Sequence, residues 1–406
     1  MLFIIVIQYS MLPPRGTKDY YNQECVIRNI VIEQFTKIFQ IYNAKQVDTP
    51  IFEDKILLLA KYGEEANQLI YEIKDSSLAL RYDHTVPLVR FALTNNLTSF
   101  RRYTIGKVYR RDNLSRNQIR LREFTQCDFD IVGEHNIEWN NEEVLNCLID
   151  CIKSCYTDVE IIVRINDKQF LLNELAKCGV LLEEIKPICS ALDKLDKVPK
   201  DKVRLECLEK GIYENVWAQV DAFISTQQPI PLYLQTTNLA PYLQWDSSLV
   251  RGLDYYTGLI FEVVVKSGDQ MTTIAAGGRY DNLFETLGGR PRQCVGFSIG
   301  LDRFLQFYKS SHLKKTVCIG LIGNSADLLN YANCIIRILR LNGISSQIIP
   351  TIRNDFKKQL KWALESNITY IGWIGENELK NNKIRVKDLA LKTESDMTIN
   401  ELVDLF

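Results

Sequence analysis

The sequence predicts an α+β fold followed by a separate α/β domain, on three observations. Two stretches of strand periodicity, Tyr103–Tyr109 and Arg120–Val132, flank polar Asn113–Gln118 and read as a hairpin, the unit of a mainly antiparallel sheet. From about Asn166 to Gln235 the pattern turns helical, lysine-rich and aromatic-poor. From Thr316 the texture alternates: VCIGLIG, a helix around Ala326–Leu341, SSQIIP, a helix around Asp355–Ser366, then YIGWIG and KIRVKD, which argues a mainly parallel sheet. The division that follows is 11–165 with 236–310 as one split domain, 166–235 as a helical insertion, and 316–406 as the last domain, linked near Lys309–Lys315.

The totals agree with this division. At 406 residues the chain is long enough for two or three domains, each with its own core. Hydrophobic residues at 46% and charged residues at 24% are the profile of a soluble globular protein. No window holds the apolar run a membrane span needs, so no membrane is expected. The opening MLFIIVIQYS is too short and lacks the basic flank and cleavage site of a signal peptide, and Met11 offers an alternative start. Eleven cysteines without CxxC pairs suggest free thiols in a reducing compartment. Cys147, Cys151 and Cys155, four apart on a helix, read as a core stripe, and the three histidines stand at no metal spacing, so no structural zinc is expected.

Along the chain, Tyr21–Tyr42 carries Ile27, Ile30, Val31, Phe35, Ile38 and Phe39 at helical spacing. Ala44–Phe52 reads as a strand that contains Pro50, a residue suited to an edge or an end. Ser77–Asp83 reads as another strand, with Thr85 as N-cap and Pro87 in the first turn of the next helix. Arg81, Asp83 and Thr85 share one face, which turns His84 away from Asp83. A helix at Asn141–Cys155 and a strand at Val159–Ile165 follow, and Thr257–Val265 and Cys294–Phe304 read as a strand and a buried strand running into a helix.

Charge is concentrated at one place. Between Arg101 and Arg122 lie eight basic residues and a single acid, Asp112, in a chain whose net charge is -1. On the second strand of the hairpin, a period of two sets Leu121, Thr125, Cys127, Phe129 and Ile131 on one face and Arg122, Phe124, Gln126, Asp128 and Asp130 on the other. At ~3.3 Å per residue, Arg122, Gln126 and Asp130 are spread at ~13 Å intervals along that polar face. Cations at the loop end and acids further down suit a ligand with phosphates at one end and an N–H donor at the other. A solvated charged hairpin is the alternative, though surface runs normally mix signs.

The hairpin, VYRRDN, a loop and REFTQCDFDIVG, resembles motif 2 of the class II aminoacyl-tRNA synthetases, in the version of the histidyl-tRNA synthetase family. The resemblance extends to LRYDxT at Leu80–Thr85, to RGLDYYTG at Arg251–Gly258, to GGRYDNL at Gly277–Leu283 and to the motif 3-like CVGFSIGLDRF at Cys294–Phe304. It departs in the loop, where Leu114 and Ile119 stand in place of the usual proline and glycine. The resemblance implies a class II catalytic domain, a helical insertion near the tRNA acceptor arm and a C-terminal anticodon-binding domain. It implies activation of L-histidine by ATP with Mg2+ on the phosphates, transfer to the 3′ end of histidine tRNA, a homodimer built through the first helix and strand, and a cytoplasmic location.

Residue by residue, the resemblance assigns Arg110 and Arg251 to the α-phosphate and catalysis, and Arg110, Arg122 and Arg303 to ATP. Histidine falls to Asp83, Thr85 and Gln126 at the ammonium, Asp130 and Tyr256 at the imidazole, and Tyr280 at the pocket wall, with Tyr255 as packing and no protein metal ligand. Arg303 near a helix start opposes the macrodipole unless an anionic ligand is present. Two rival readings are a non-catalytic paralogue, such as the regulatory subunit of ATP phosphoribosyltransferase, and a sensor of uncharged tRNA. Retention of Arg110, Arg251, Arg303 and a last α/β domain weighs against both.

Overall fold

The computed structural model describes residues 12–62, 68–112, 121–156, 159–195, 198–251, 255–268, 270–308, 315–350, 355–366 and 368–406. The hairpin loop with Leu114 and Ile119, the segment 1–10, Gly252 and most of the expected linker lie outside the described residues. The chain forms two compact units, Met1–Lys309 and Ser310–Phe406.

The first unit is built on an eight-stranded sheet. Its strands in chain order are β1 (Lys45–Gln46), β4 (Phe100–Tyr109), β5 (Glu123–Val132), β6 (Glu160–Asp167), β7 (Leu243–Trp245), β8 (Leu259–Ser267), β9 (Gln270–Arg279) and β10 (Cys294–Gly300); β2 (Phe52–Asp54) and β3 (Leu78–Leu80) pair separately. The spatial order is β1-β4-β5-β10-β9-β8-β6-β7. Every inner pairing is antiparallel, and only the outermost pairs, β1 with β4 and β6 with β7, are parallel. The predicted strand Ala44–Phe52 is instead broken into β1 and β2, with Pro50 between them, where a residue without an N–H cannot extend a ladder.

One face of this sheet carries the core. Cys127, Phe129 and Ile131 of β5, Val295, Phe297 and Ile299 of β10, and Phe261, Val263 and Val265 of β8 are buried together under the helices Gln23–Ile41 and Ile137–Cys155. Phe39 of the first helix packs on Tyr103, Phe129 and Phe297, and Phe35 meets Phe304 edge-on at 5.0 Å. Cys147 and Cys151 are fully buried in this core and Cys155 packs against it, with burial pushing all three thiols up. The expected thiol stripe is therefore packing.

Between β6 and β7 run the helices Lys168–Lys177, Ile185–Leu192, Lys200–Glu209, Glu214–Ser225 and Leu232–Gln235. The first four close on a core of their own that includes Leu171, Ile188, Leu192, Val203, Trp217 and Val220, while Leu234 of the last joins the core under the sheet.

The second unit is a five-stranded sheet in the order β12-β11-β13-β14-β15, with β11 (Thr316–Leu321), β12 (Ser345–Ile348), β13 (Tyr370–Ile374), β14 (Ile384–Asp388) and β15 (Glu394–Met397). The first three strands are parallel and the last two antiparallel, so the sheet is evenly mixed rather than mainly parallel. The connection from Ile374 to Ile384 holds one helix of 6 residues, and a parallel crossover needs a dozen or more.

Candidate active site

The other face of the first sheet is polar, and its chemistry follows from register. Asp130 lies opposite Arg102 on β4 and Gly296 on β10, and Gly296 lies opposite Gly278 on β9. One row along, Thr104, Asp128, Ser298, Ala276 and Glu262 stand side by side across five strands. The middle of the sheet thus presents glycine, alanine and serine to this face while phenylalanine and isoleucine alternate onto the core. A Cβ on Gly296 would lie 2.1 Å from Asp130 Oδ1, and one on Gly278 would lie 3.0 Å from the Tyr256 ring. Bare backbone here opens a cavity of about 620 Å3, a size that accommodates a nucleotide-sized ligand.

Nine of the ten residues singled out from sequence line this cavity: Asp83, Thr85, Arg110, Gln126, Asp130, Arg251, Tyr256, Tyr280 and Arg303. Arg122 does not. Its Nε faces the Asp112 carbonyl at 3.5 Å, and its stem fills the space above Gly16.

Arg110 follows β4, where Nε donates to the Tyr82 carbonyl at 3.1 Å. Its guanidinium lies 4.2 Å from the Tyr82 ring centre and 5.2 Å from that of Phe124, an arrangement that fixes the plane of the fork. Arg251 is held by Glu262, whose carboxylate is almost fully buried and bonds Arg251 Nη2 at 2.6 Å. Arg164 approaches the same carboxylate at 3.9 Å and is itself tied to Asp246. Glu262 was detectable as a lone acid within the apolar run LIFEVVV, since a buried carboxylate requires a partner. Arg303 belongs to the helix Leu301–Phe304 and reaches the Thr273 carbonyl at 3.5 Å. That helix has 4 residues with Arg303 in its last turn, so the expected conflict with a macrodipole does not arise. Its neighbour Asp302 bonds Arg28 at 3.0 Å, the Thr125 amide at 2.8 Å and the Tyr20 hydroxyl, anchoring the first helix to β5.

At the far end of β5, Tyr280 donates to Asp130 Oδ1 at 2.5 Å and Arg102 contacts Asp130 Oδ2 at 2.7 Å. Arg102 is completely buried, and Asp128 is 3.8 Å from the same nitrogen. Burial raises the Asp128 carboxyl to about 7, with Arg102 pulling in the opposite direction. Burial, then the neighbouring Asp130, pushes the Tyr280 phenol up. The sequence reading missed Arg102 because one basic residue in a run of eight carries no mark of its own; only the pairing with Asp130 distinguishes it. Tyr255 lines the cavity beside Tyr256, with ring centres 4.1 Å apart.

The basic run is dispersed. Arg101 pairs with Glu134 and Glu143 away from the site, exposed Lys107 pairs with Glu123, Arg102 serves Asp130, and Arg110 reaches the cavity.

Thr85 is the first helical residue of Thr85–Thr94 rather than its cap. The cap position falls on His84, and the capping side chain is that of Asp83, whose Oδ1 accepts from the Thr85 and Val86 amides at 3.0 and 3.3 Å. A carboxylate binds two exposed helix-start N–H groups better than a hydroxyl does. His84 is buried, bonded to the Gly106 carbonyl at 3.2 Å and held down at about 3 by burial, then by Arg81 and Arg102. It is neutral when folded. The unfolded chain takes up its proton near pH 6.5, so stability falls as pH drops from about 6.5 toward 3, by roughly 1.4 kcal/mol per unit. Denaturation of His84→Gln at pH 7 and pH 5 is expected to show about 2 kcal/mol less acid loss than the unsubstituted chain.

A family model described as histidyl-tRNA synthetase matches residues 16–199 and 184–304, and one described as an anticodon binding domain matches 316–406. The chain belongs to the histidyl-tRNA synthetase family. That membership assigns it to the aminoacyl-tRNA ligases. Among curated relatives, the cytoplasmic histidine–tRNA ligase of Dictyostelium discoideum is 33% identical over 93% of this chain and 86% of its own length. A probable cytoplasmic histidine–tRNA ligase of Encephalitozoon cuniculi is 33% identical over 97% and 98%. The rice cytoplasmic relative is also 33% identical, over 97% of this chain, which spans 54% of that protein. The histidyl-tRNA synthetase structure from Nostoc matches the fold with a TM-score of 0.79 at 20% identity, covering 98% of this chain and 99% of that one.

Proposed function

We propose that this chain activates L-histidine with ATP to histidyl-adenylate and transfers the histidyl group to the 3′ end of histidine tRNA. One observation carries the reading. Arg110, Arg251 and Arg303 line the same cavity as Asp130, Tyr256 and Tyr280. Arg110 and Arg303 lie toward the end of β5 marked by Phe124 and Gln126, and Asp130 lies ~13 Å further along that strand than Gln126.

The first step joins two anions, since a carboxylate must attack the α-phosphorus of ATP. Arg110 and Arg251 offset that repulsion, so the work is positioning and electrostatics. Arg303 serves the rest of ATP, with Arg122 contributing from outside the cavity wall. Mg2+ is expected on the substrate phosphates, with water completing its shell. Bound there, Mg2+ supplies charge neutralisation.

Asp83, Thr85 and Gln126 take the ammonium of histidine, and Asp130 and Tyr256 take the ring. A pocket of buried polar partners rejects analogues that lack the matching groups by ~10^4. A homodimer is supported by exposed Ile51, Phe52, Ile56 and Leu78 beside β2 and β3. Cytoplasmic action is supported by the relatives' names, although a Pongo abelii relative of 30% identity is mitochondrial.

A second reading draws on a structural neighbour titled as an ATP phosphoribosyltransferase regulatory subunit/histidyl-tRNA synthetase, from Bacillus halodurans, at TM-score 0.65 and 19% identity over 90% of this chain. The arginines at the cavity and the match at 316–406 favour the catalytic reading. ATP–pyrophosphate exchange decides between them. Exchange is expected with histidine alone among the amino acids, and its absence with every amino acid would support the regulatory role.

A further inference from the structure

Arg251 directly follows two residues that are seated in different cores. Leu249 is buried in the cluster that holds Tyr256, Ile260 and Tyr280, at the wall of the cavity. Val250 is buried in the core of the helical insertion, with Leu171, Ile188 and Trp217. Among the described residues, every other member of that core lies between Leu171 and Ile224. The insertion also holds the chain beyond Arg251. Lys168, the first residue of the insertion's first helix, donates from its amide to the Gly258 carbonyl at 2.9 Å and from Nζ to the Tyr256 carbonyl at 2.7 Å. Gln169 Nε2 donates to the Thr257 carbonyl at 3.4 Å, and fully buried Asn166 donates to the Leu249 carbonyl at 3.0 Å. Asp193, next after the helix Ile185–Leu192, lines the cavity itself.

Resting on the function proposed above, we propose that Val250 is a positioning residue for the activation step. Seated in the insertion's core, it sets where the main chain delivers Arg251. Val250 does not line the cavity, so it acts through its neighbour. The eight-stranded sheet has no use for an apolar residue at 250, because Leu249 already serves that side. Arg251 depends on such an anchor: its side chain is 39% exposed, and its bond to Glu262 tethers only the guanidinium. The main chain beneath it therefore decides where the stem begins. Val250 is β-branched and holds few rotamers, which makes it a stiff plug. Shortening it to a methyl group leaves a void that the surroundings fill only in part, and the slack passes to the next residue. A misplacement of ~1 Å at a reacting centre costs about a hundredfold in rate. The tether to Glu262 keeps the loss below that of deleting Arg251.

The test is histidine-dependent ATP–pyrophosphate exchange in four variants of the full chain. In Val250→Ala, kcat should fall roughly 10- to 100-fold, while the KM values for histidine and ATP stay within about threefold, as expected for an interaction made in the transition state. Val250→Ile, which keeps the plug, should stay within about threefold of the original rate. Val220→Ala empties an equally buried place in the same core, on the helix Glu214–Ser225. It should lower the thermal midpoint as much as Val250→Ala does and leave kcat unchanged. Val250→Ala combined with Arg251→Ala should be no slower than Arg251→Ala alone, because a residue that acts through another adds nothing once that other is gone. If Val250→Ala does not fold, Val250→Thr replaces it, since a hydroxyl in an apolar core loosens the same seat. An unchanged kcat in Val250→Ala overturns the proposal, as does an equal fall in Val220→Ala or losses that multiply in the double variant. Absence of exchange in the unsubstituted chain would instead count against the proposed function itself.

Discussion

Arg251→Ala is expected to lower histidine-dependent ATP–pyrophosphate exchange by about a thousandfold while the protein stays folded. The size follows from the role proposed for it above. A cation aimed at charge that develops as the carboxylate meets the α-phosphorus is worth ~10^2–10^3 in rate when removed from a water-poor site. Folding should survive, because the Arg251 side chain is 39% exposed and its deletion leaves Glu262 with Arg164 only 3.9 Å away. Exchange at the original rate, with circular dichroism unchanged, would remove Arg251 from the mechanism. Loss of folding would instead show that Glu262 depends on it for compensation.

Arg102→Ala is expected to produce the largest loss of stability among these substitutions, on the order of 3–5 kcal/mol, because it leaves buried acids without their cation. For a unit of this size the loss corresponds to a drop of roughly 10 °C in the thermal midpoint. Adding Asp130→Asn to the variant should return part of that loss, since the second change removes the charge the first one stranded. A thermal midpoint within a degree or two of the original would mean that Asp130 is neutral in the folded protein and Arg102 unnecessary to it.

The sequence disclosed the parts of this molecule whose signal is local. Period-two alternation in REFTQCDFDIVG separated the core face of β5 from its polar face, and the later structure keeps Cys127, Phe129 and Ile131 inward. The family's short motifs led to nine side chains that reach one cavity although they are spread from residue 83 to residue 303. What escaped was fixed by pairing between distant segments. Arg102 becomes identifiable only when β4 is set in register against β5, and the partner of Glu262 only when Arg251 folds back on it. The Thr85 cap was misjudged because both Asp83 and Thr85 are capping residue types, and spacing alone does not say which one takes the amides. The even mixture of parallel and antiparallel strands in the second unit was hidden in a connection length, which periodicity does not weigh.

The bare middle of the sheet limits how this enzyme's selectivity can be changed. Where the ligand would rest there is mostly main chain, and a single methyl group at Gly296 would displace the carboxylate next to it. Redesign toward another amino acid therefore has to proceed through the surrounding side chains, and a library that spares Gly278 and Gly296 should retain far more folded members than one that varies them.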